Sequence, residues 1–176
     1  MLYLVTSLFF GVAFVAGQEC NFGDLETFVG FDPEKYLGTW YEHYRSPNPE
    51  EESYVGCEFD QYFKSDIGIS VLSVAYSKPA VRSFEVSSGI IANYTDNTFF
   101  LQYFNDPTWS SEYTVLGTDY TTYSIVGGCL GNSDPLVWIA SHEKEMTDEG
   151  KESVVAILEK MNLNIDDLET VDQSFC

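Results

Sequence analysis

Few side chains in this sequence are equipped for covalent chemistry. The two histidines, His43 and His142, and the scattered serines form no nucleophile–base–orienter set, and no G-x-S-x-G turn occurs. The four cysteines, Cys20, Cys57, Cys129 and Cys176, include no C-x2-C pair. Two disulfides are therefore expected over a zinc site, with three connectivities open. No enzyme, no metal site and no required cofactor are expected. Carboxylates are abundant, with 28 Asp and Glu against 8 Lys and Arg, yet no spacing singles out an acid–base pair. Glu42 alone has an argument for facing an interior. If its segment is a strand, alternation puts Trp40, Glu42 and Tyr44 on one face and Tyr41 and His43 on the other. Glu42 then reads first as a satisfied structural acid and second as a polar ligand contact, and His43 as a surface residue. The stronger signal is aromatic. Phe, Trp and Tyr make up 16% of the chain, 12 of them tyrosines. Such rings suit a cavity for one flat or conjugated apolar molecule, and tyrosine hydroxyls orient its polar ends.

A cavity of that kind needs a scaffold, and the pattern of the chain supplies one. Short β-rich runs at Gly38–Arg45, Cys57–Phe63, Ile69–Tyr76, Val81–Ile91, Thr98–Phe104, Tyr113–Asp119, Tyr123–Cys129 and Leu136–Ser141 are separated by turn residues. Gly38 and the aromatics after it are poor helix formers, which favours a strand there. Eight short strands predict an all-β antiparallel sandwich or barrel, and closure of an up-and-down barrel would remove both edges. The period then changes. Thr147 caps Asp148 and Glu149, and Val154, Leu158 and Met161 make one apolar face of a single helix packed outside the sheet. Residues 1–17 carry no charge and close on Val15-Ala16-Gly17, which reads as a secretory signal peptide; residues 18–176 form one domain. No later stretch is long enough for a membrane span. The net charge of −20 excludes nucleic acid and anionic membranes as partners. The acidic runs Pro49–Glu52 and Asp166–Glu169 read as solvated loops. Asn93-Tyr94-Thr95 is a glycosylation sequon, expected on an exposed loop of a secreted protein.

Three stretches together resemble the lipocalin family, nearest in flavour to its invertebrate crustacyanin, bilin-binding and apolipoprotein D-like members. They are Gly38-Thr39-Trp40, Thr118-Asp119-Tyr120, and Trp138 to His142, joined by the tail from Leu168 to Cys176. His142 stands where the family usually carries an arginine over the tryptophan. The resemblance implies an eight-stranded up-and-down barrel with one C-terminal helix. It also implies disulfides Cys20–Cys129 and Cys57–Cys176, and a floor sealed by Trp40 with Gly38 allowing close approach. It suggests a small hydrophobic ligand, foremost a pigment chromophore such as a carotenoid or a bilin. Another lipid, a retinoid or a cationic amine is the alternative, as is a filled barrel serving as a protein-interaction scaffold. Association with copies of itself or with other lipocalin subunits is a further option. The charge of −20 disfavours bilins and fatty acids, favours neutral polyenes, and leaves room for cations. Alternation nominates Glu42, Tyr44, Phe59, Val74, Phe84, Phe100, Gln102, Tyr113 and Trp138 as ligand contacts.

Overall fold

The computed structural model describes Phe22 and residues 28–77, 83–129, 135–174 and 176; the leader 1–17 and Cys20 lie outside the described residues. The described residues form nine strands: β1 Gly38–Arg45, β2 Tyr54–Ser65, β3 Gly68–Ser77, β4 Ser83–Thr95, β5 Thr98–Tyr103, β6 Ser111–Thr118, β7 Ser124–Gly128, β8 Leu136–Ser141 and β9 Glu169–Thr170. Each of β1 to β7 pairs antiparallel with its successor, and β1 also pairs with β8, which closes an eight-stranded barrel. The two-residue β9 lies outside that ring, along the end of β1 that β2 leaves free, with Tyr44 opposite Thr170 and Arg45 opposite Glu169. The predicted limits of β1 and β8 match the structure, and β2 to β4 run longer than their apolar runs suggested. The extra residues include Lys64 and Ser65 of β2, Ser77 of β3, and Asn93 and Thr95 of β4, which backbone pairing adds to the ladder.

One irregularity reorganises β1. Glu42 pairs with Ala140 and Tyr44 with Ile139, so a bulge inserts His43 as an extra residue. Alternation therefore fails at the mouth end of the strand. His43 is not a surface residue as expected: it is only 8% exposed, and its Nε2 contacts Ser141 Oγ at 2.8 Å and the Glu143 carbonyl at 3.0 Å. Tyr44 turns outward and Arg45 turns inward.

Two apolar clusters result. One fills the closed end of the barrel around Trp40, Tyr36, Phe31, Tyr62 and Phe99. The other lies outside, between the barrel wall and α1, Asp148–Lys160. There Val154 and Leu158 are sealed against Leu116, Ile125, Val137 and Ile139, with Met161 and Tyr44 at the margin. Thr147 caps α1 by accepting from the Gly150 N–H at 3.1 Å. Gly117 lets the helix come close: a Cβ there would fall 2.6 Å from Ile157 Cδ1, and that side chain would have to shift.

The tail after β9 is tied down by a disulfide between Cys57 and Cys176. Backbone bonds also hold it, from Val171 N to His43 O and from Cys57 N to Asp172 O. Cys129 is disulfide-bonded as well; the expected partner, Cys20, lies outside the described residues. Asn93 is exposed, but on the last turn-ward residues of β4 rather than on a loop. Among the described residues no helix is long and apolar enough to cross a membrane.

Candidate functional site: an acid-lined barrel cavity

The floor is built from rings. Trp40 is 2% exposed and lies between Tyr36, stacked at 4.7 Å between centroids, and His142, at 3.8 Å. Its indole N–H donates to the Tyr36 carbonyl at 2.8 Å. His142 reaches over Trp40 because its Nδ1 donates to the Thr39 carbonyl at 2.6 Å. Gly38 makes room for it: with φ at +124°, a Cβ there would meet His142 Cε1 at 3.1 Å. Thr118-Asp119-Tyr120 forms the turn beneath. Asp119 accepts from the N–H groups of Thr121, Thr122 and Tyr123, and Tyr120 sits at φ +64°. Burial pushes the Asp119 carboxyl up, but its bonds from Thr122, Thr121 and Tyr123 outweigh that and hold it near about 2. The Tyr120 hydroxyl accepts from Asp32 N–H at 2.9 Å, which fastens the segment before β1 to the floor.

Above this floor the barrel encloses a cavity of about 140 Å³. Its lower wall is aromatic, with Trp40, Tyr62, Phe99, Tyr103, Tyr113 and Trp138. Burial, with Asp60 adding to it, holds the hydroxyls of Tyr62, Tyr103 and Tyr113 well above the usual tyrosine range, so they act as neutral hydrogen-bonding groups. The upper wall is acidic. Glu42, Glu51, Glu58, Asp60 and Glu85 all line the cavity. Arg45, 4% exposed, is the cation placed among them. Its Nη1 lies 2.6 Å from both oxygens of Glu58 and 3.5 Å from Glu42, and its Nε lies 3.8 Å from Glu51 and 3.2 Å from Glu169.

Glu51 comes from a single turn of 3-10 helix, Pro49–Glu51, capped by Asn48. That turn folds the Glu51 side chain inward, where it accepts from Asn48 Nδ2 and from the Trp138 indole at 3.1 Å. Asp60 sits deeper, accepting from Tyr62 and Ser73. Burial drives the carboxyls of Glu42, Glu51, Glu58 and Asp60 upward. For Glu42, burial acts first and the neighbouring Glu58 and Glu51 add to it, so its carboxyl lies well above the usual range. Burial raises Glu51 against the bonds from Asn48 and Trp138. Glu58 rises to about 7 in spite of Arg45, and Asp60 rises by burial against its two hydroxyl donors.

A family model described as a lipocalin-like domain matches residues 31–173. The chain is a lipocalin. It is 27% identical to apolipoprotein D of Cavia porcellus over 186 residues, covering 100% of this chain and 97% of that protein. The solved structure of the major cockroach allergen Per a 4 superposes with a TM-score of 0.77 at 46% identity, over 85% of this chain and 93% of the allergen. The tryptamine complex of the amine binding protein of Rhodnius prolixus shares the fold, with a TM-score of 0.65 at 18% identity over 84% of each chain.

The lipocalin's cavity receives some of the nominated residues and turns others away. Glu42, Tyr113 and Trp138 face it. Phe59 and Val74 border it, yet their side chains belong to the outer face. The Phe59 ring packs on Tyr41 at 5.7 Å, and Val74 lies opposite Val86, which is 48% exposed. Tyr44 is excluded by the bulge and packs under α1. Phe84, Phe100 and Gln102 are exposed on the outside of β4 and β5. Their neighbours Glu85, Phe99, Leu101 and Tyr103 point inward instead. For β5 a signal was available: Phe99, Leu101 and Tyr103 form a wholly apolar or aromatic set, whereas the other face carries the polar Gln102. Sequence reasoning also missed Glu51 and Glu169. Both lie in acidic runs read as solvated loops, and both contact Arg45. Nothing in local pattern distinguishes Glu51 from Glu50 or Glu52; a 3-10 turn and a tryptophan 87 residues away make the difference.

Proposed function

We propose that this lipocalin carries a small aromatic or otherwise apolar molecule bearing one protonated amine. The observation that carries the reading is the composition of the cavity wall: Glu42, Glu51, Glu58 and Asp60 line it, and Arg45 is the cation paired with Glu58 beside them. An ammonium group entering there supplies the missing positive charge, while the ring rests on Trp40, Tyr113 and Trp138. Size supports the same class. A cavity of about 140 Å³ is comparable with the roughly 150 Å³ site that accepts a benzene-sized guest. A carotenoid or a bilin, which the aromatic content alone equally suits, is several times larger, and a bilin's carboxylates would meet acids. The fold accommodates this chemistry elsewhere, since one protein of the same fold is known as a tryptamine complex. Three disulfide-bonded cysteines among the described residues and the apolar, uncharged leader support export to the extracellular space.

The test is a titration of ligand-free protein with a panel, read by quenching of indole fluorescence. Arylalkylamines are expected to bind more tightly than neutral rings of the same size, and both more tightly than biliverdin or astaxanthin. Pigment binding stronger than every amine would overturn this reading.

A further inference from the structure

The acids at the cavity mouth are more numerous than one cationic guest needs. One oxygen from each of Glu42, Glu51 and Glu58 lies within 4.8 Å of the others. Arg45 contributes one positive charge to the three, and it leans on Glu58 at 2.6 Å while Glu169 draws on its Nε from outside. The groups facing the cluster from each wall bring no second cation among the described residues. β1 gives Glu42 and Arg45, β2 gives Tyr54, Glu58, Asp60 and Tyr62, and β4 gives Glu85. From β5 and β6 come Tyr103 and Tyr113, from β8 Trp138, and from β9 Glu169. Like charges at this spacing, out of water, do not all stay ionised. The cluster must hold protons when the cavity has no cationic guest, and it has no use for them once a cation has arrived.

We infer that this lipocalin exchanges protons for its ligand: a cationic guest drives protons off the Glu42–Glu51–Glu58 cluster on entry, and acidification returns them and expels the guest. The inference rests on the amine reading above and adds its regulation. The balance is plain. The ammonium group enters with its own proton retained, and carboxylic acid protons leave to water, so the net charge inside the cluster changes little. The directions already described agree, because burial lifts all three carboxyls and Glu58 titrates at about 7. Affinity for a permanent or strongly basic cation then falls as protons compete for the same oxygens. A neutral ring of the same shape displaces no proton, so its affinity does not fall on acidification. Acid therefore changes selectivity as well as affinity.

Two measurements decide this. Calorimetry of tryptamine binding in two buffers of different ionisation enthalpy, at about pH 7, is expected to show release of an appreciable fraction of a proton or more per ligand. Tryptamine affinity is expected to weaken by up to about tenfold for each unit of acidification between about pH 7 and about pH 5. Over the same range 3-ethylindole, which lacks the amine, should not weaken. In Glu42→Gln the proton release should shrink. Tryptamine that binds with no proton release and no dependence on pH overturns the exchange and leaves the amine reading standing; failure of tryptamine to bind at any pH overturns both. The ligand-free protein supplies a second readout, since the Trp138 indole donates to both oxygens of Glu51 at 3.1 and 3.3 Å. Its emission should titrate with a midpoint above the ordinary glutamate value of about 4.3 and lose that step in Glu51→Gln; a midpoint at or below that value overturns the inference.

Discussion

Arg45 pairs with more of the cavity's acids than any other described residue, and the cost of removing it depends on pH. At neutral pH, Arg45→Met should destabilise the protein by about 3–5 kcal/mol, because buried carboxylates lose their counter-charge. The loss should shrink toward about pH 5, where those carboxyls take up protons instead. The wild type has a related slope. Its raised carboxyls bind protons more tightly folded than unfolded, so stability falls as pH rises from the ordinary glutamate value near about 4.3 through the Glu58 value of about 7. Urea midpoints of both proteins across that window check the argument, and a loss in Arg45→Met that does not change with pH would refute it. At this scale the sequence was only partly legible. Gly38, Trp40 and His142 could be placed from their motifs. Strand alternation placed Glu42 inside, then misplaced Tyr44, because the extra residue at His43 follows from pairing with β8. No property of the five residues Tyr41 to Arg45 announces that bulge.

At the scale of elements, α1 is the support that sequence periodicity described best. Its N-cap at Thr147 and its buried pair Val154 and Leu158 were both legible, since a 3.6-residue apolar repeat reports one packed face and little else. Leu158→Ala should cost about 2–5 kcal/mol, as for other fully buried leucines, with the cavity left between α1 and the outer wall of β6 to β8. Because that site faces away from the ligand cavity, amine affinity at a permissive temperature should stay within about twofold of wild type. A variant that folds normally yet loses its ligand would show that α1 and the cavity are coupled, against the separation of the two cores. The 3-10 turn at Pro49–Glu51 is the opposite case. Three residues carry no period, so its inward-facing Glu51 stayed hidden among acids that do face water.

For the whole molecule, the eight strands, their order and the single late helix were all readable, because turn residues punctuate the chain at every hairpin. What links the ends was readable only through resemblance. The Cys57–Cys176 bond spans 119 residues, a separation for which chain entropy alone predicts about 4–5 kcal/mol. Cys57→Ser with Cys176→Ser should therefore lower the urea midpoint and free the tail, whose Gln173 side chain donates to the Glu58 carbonyl at 2.9 Å at the back of the acid cluster. An unchanged midpoint would mean that β9 and the tail contribute nothing to barrel stability. The closure of β1 on β8 has a further consequence, in time. Tyr41 and Ser141 pair across the seam although 100 residues separate them, while all other barrel pairs are hairpin neighbours. Hairpins form in microseconds, but a contact of that span waits on a large loop search, which puts barrel completion in the range of about milliseconds to seconds. Through that interval β1 and β8 both present unpaired backbone. Two half-made barrels that meet then can exchange β1 for β1, so a swapped dimer is the misfolding route that the seam invites at high concentration.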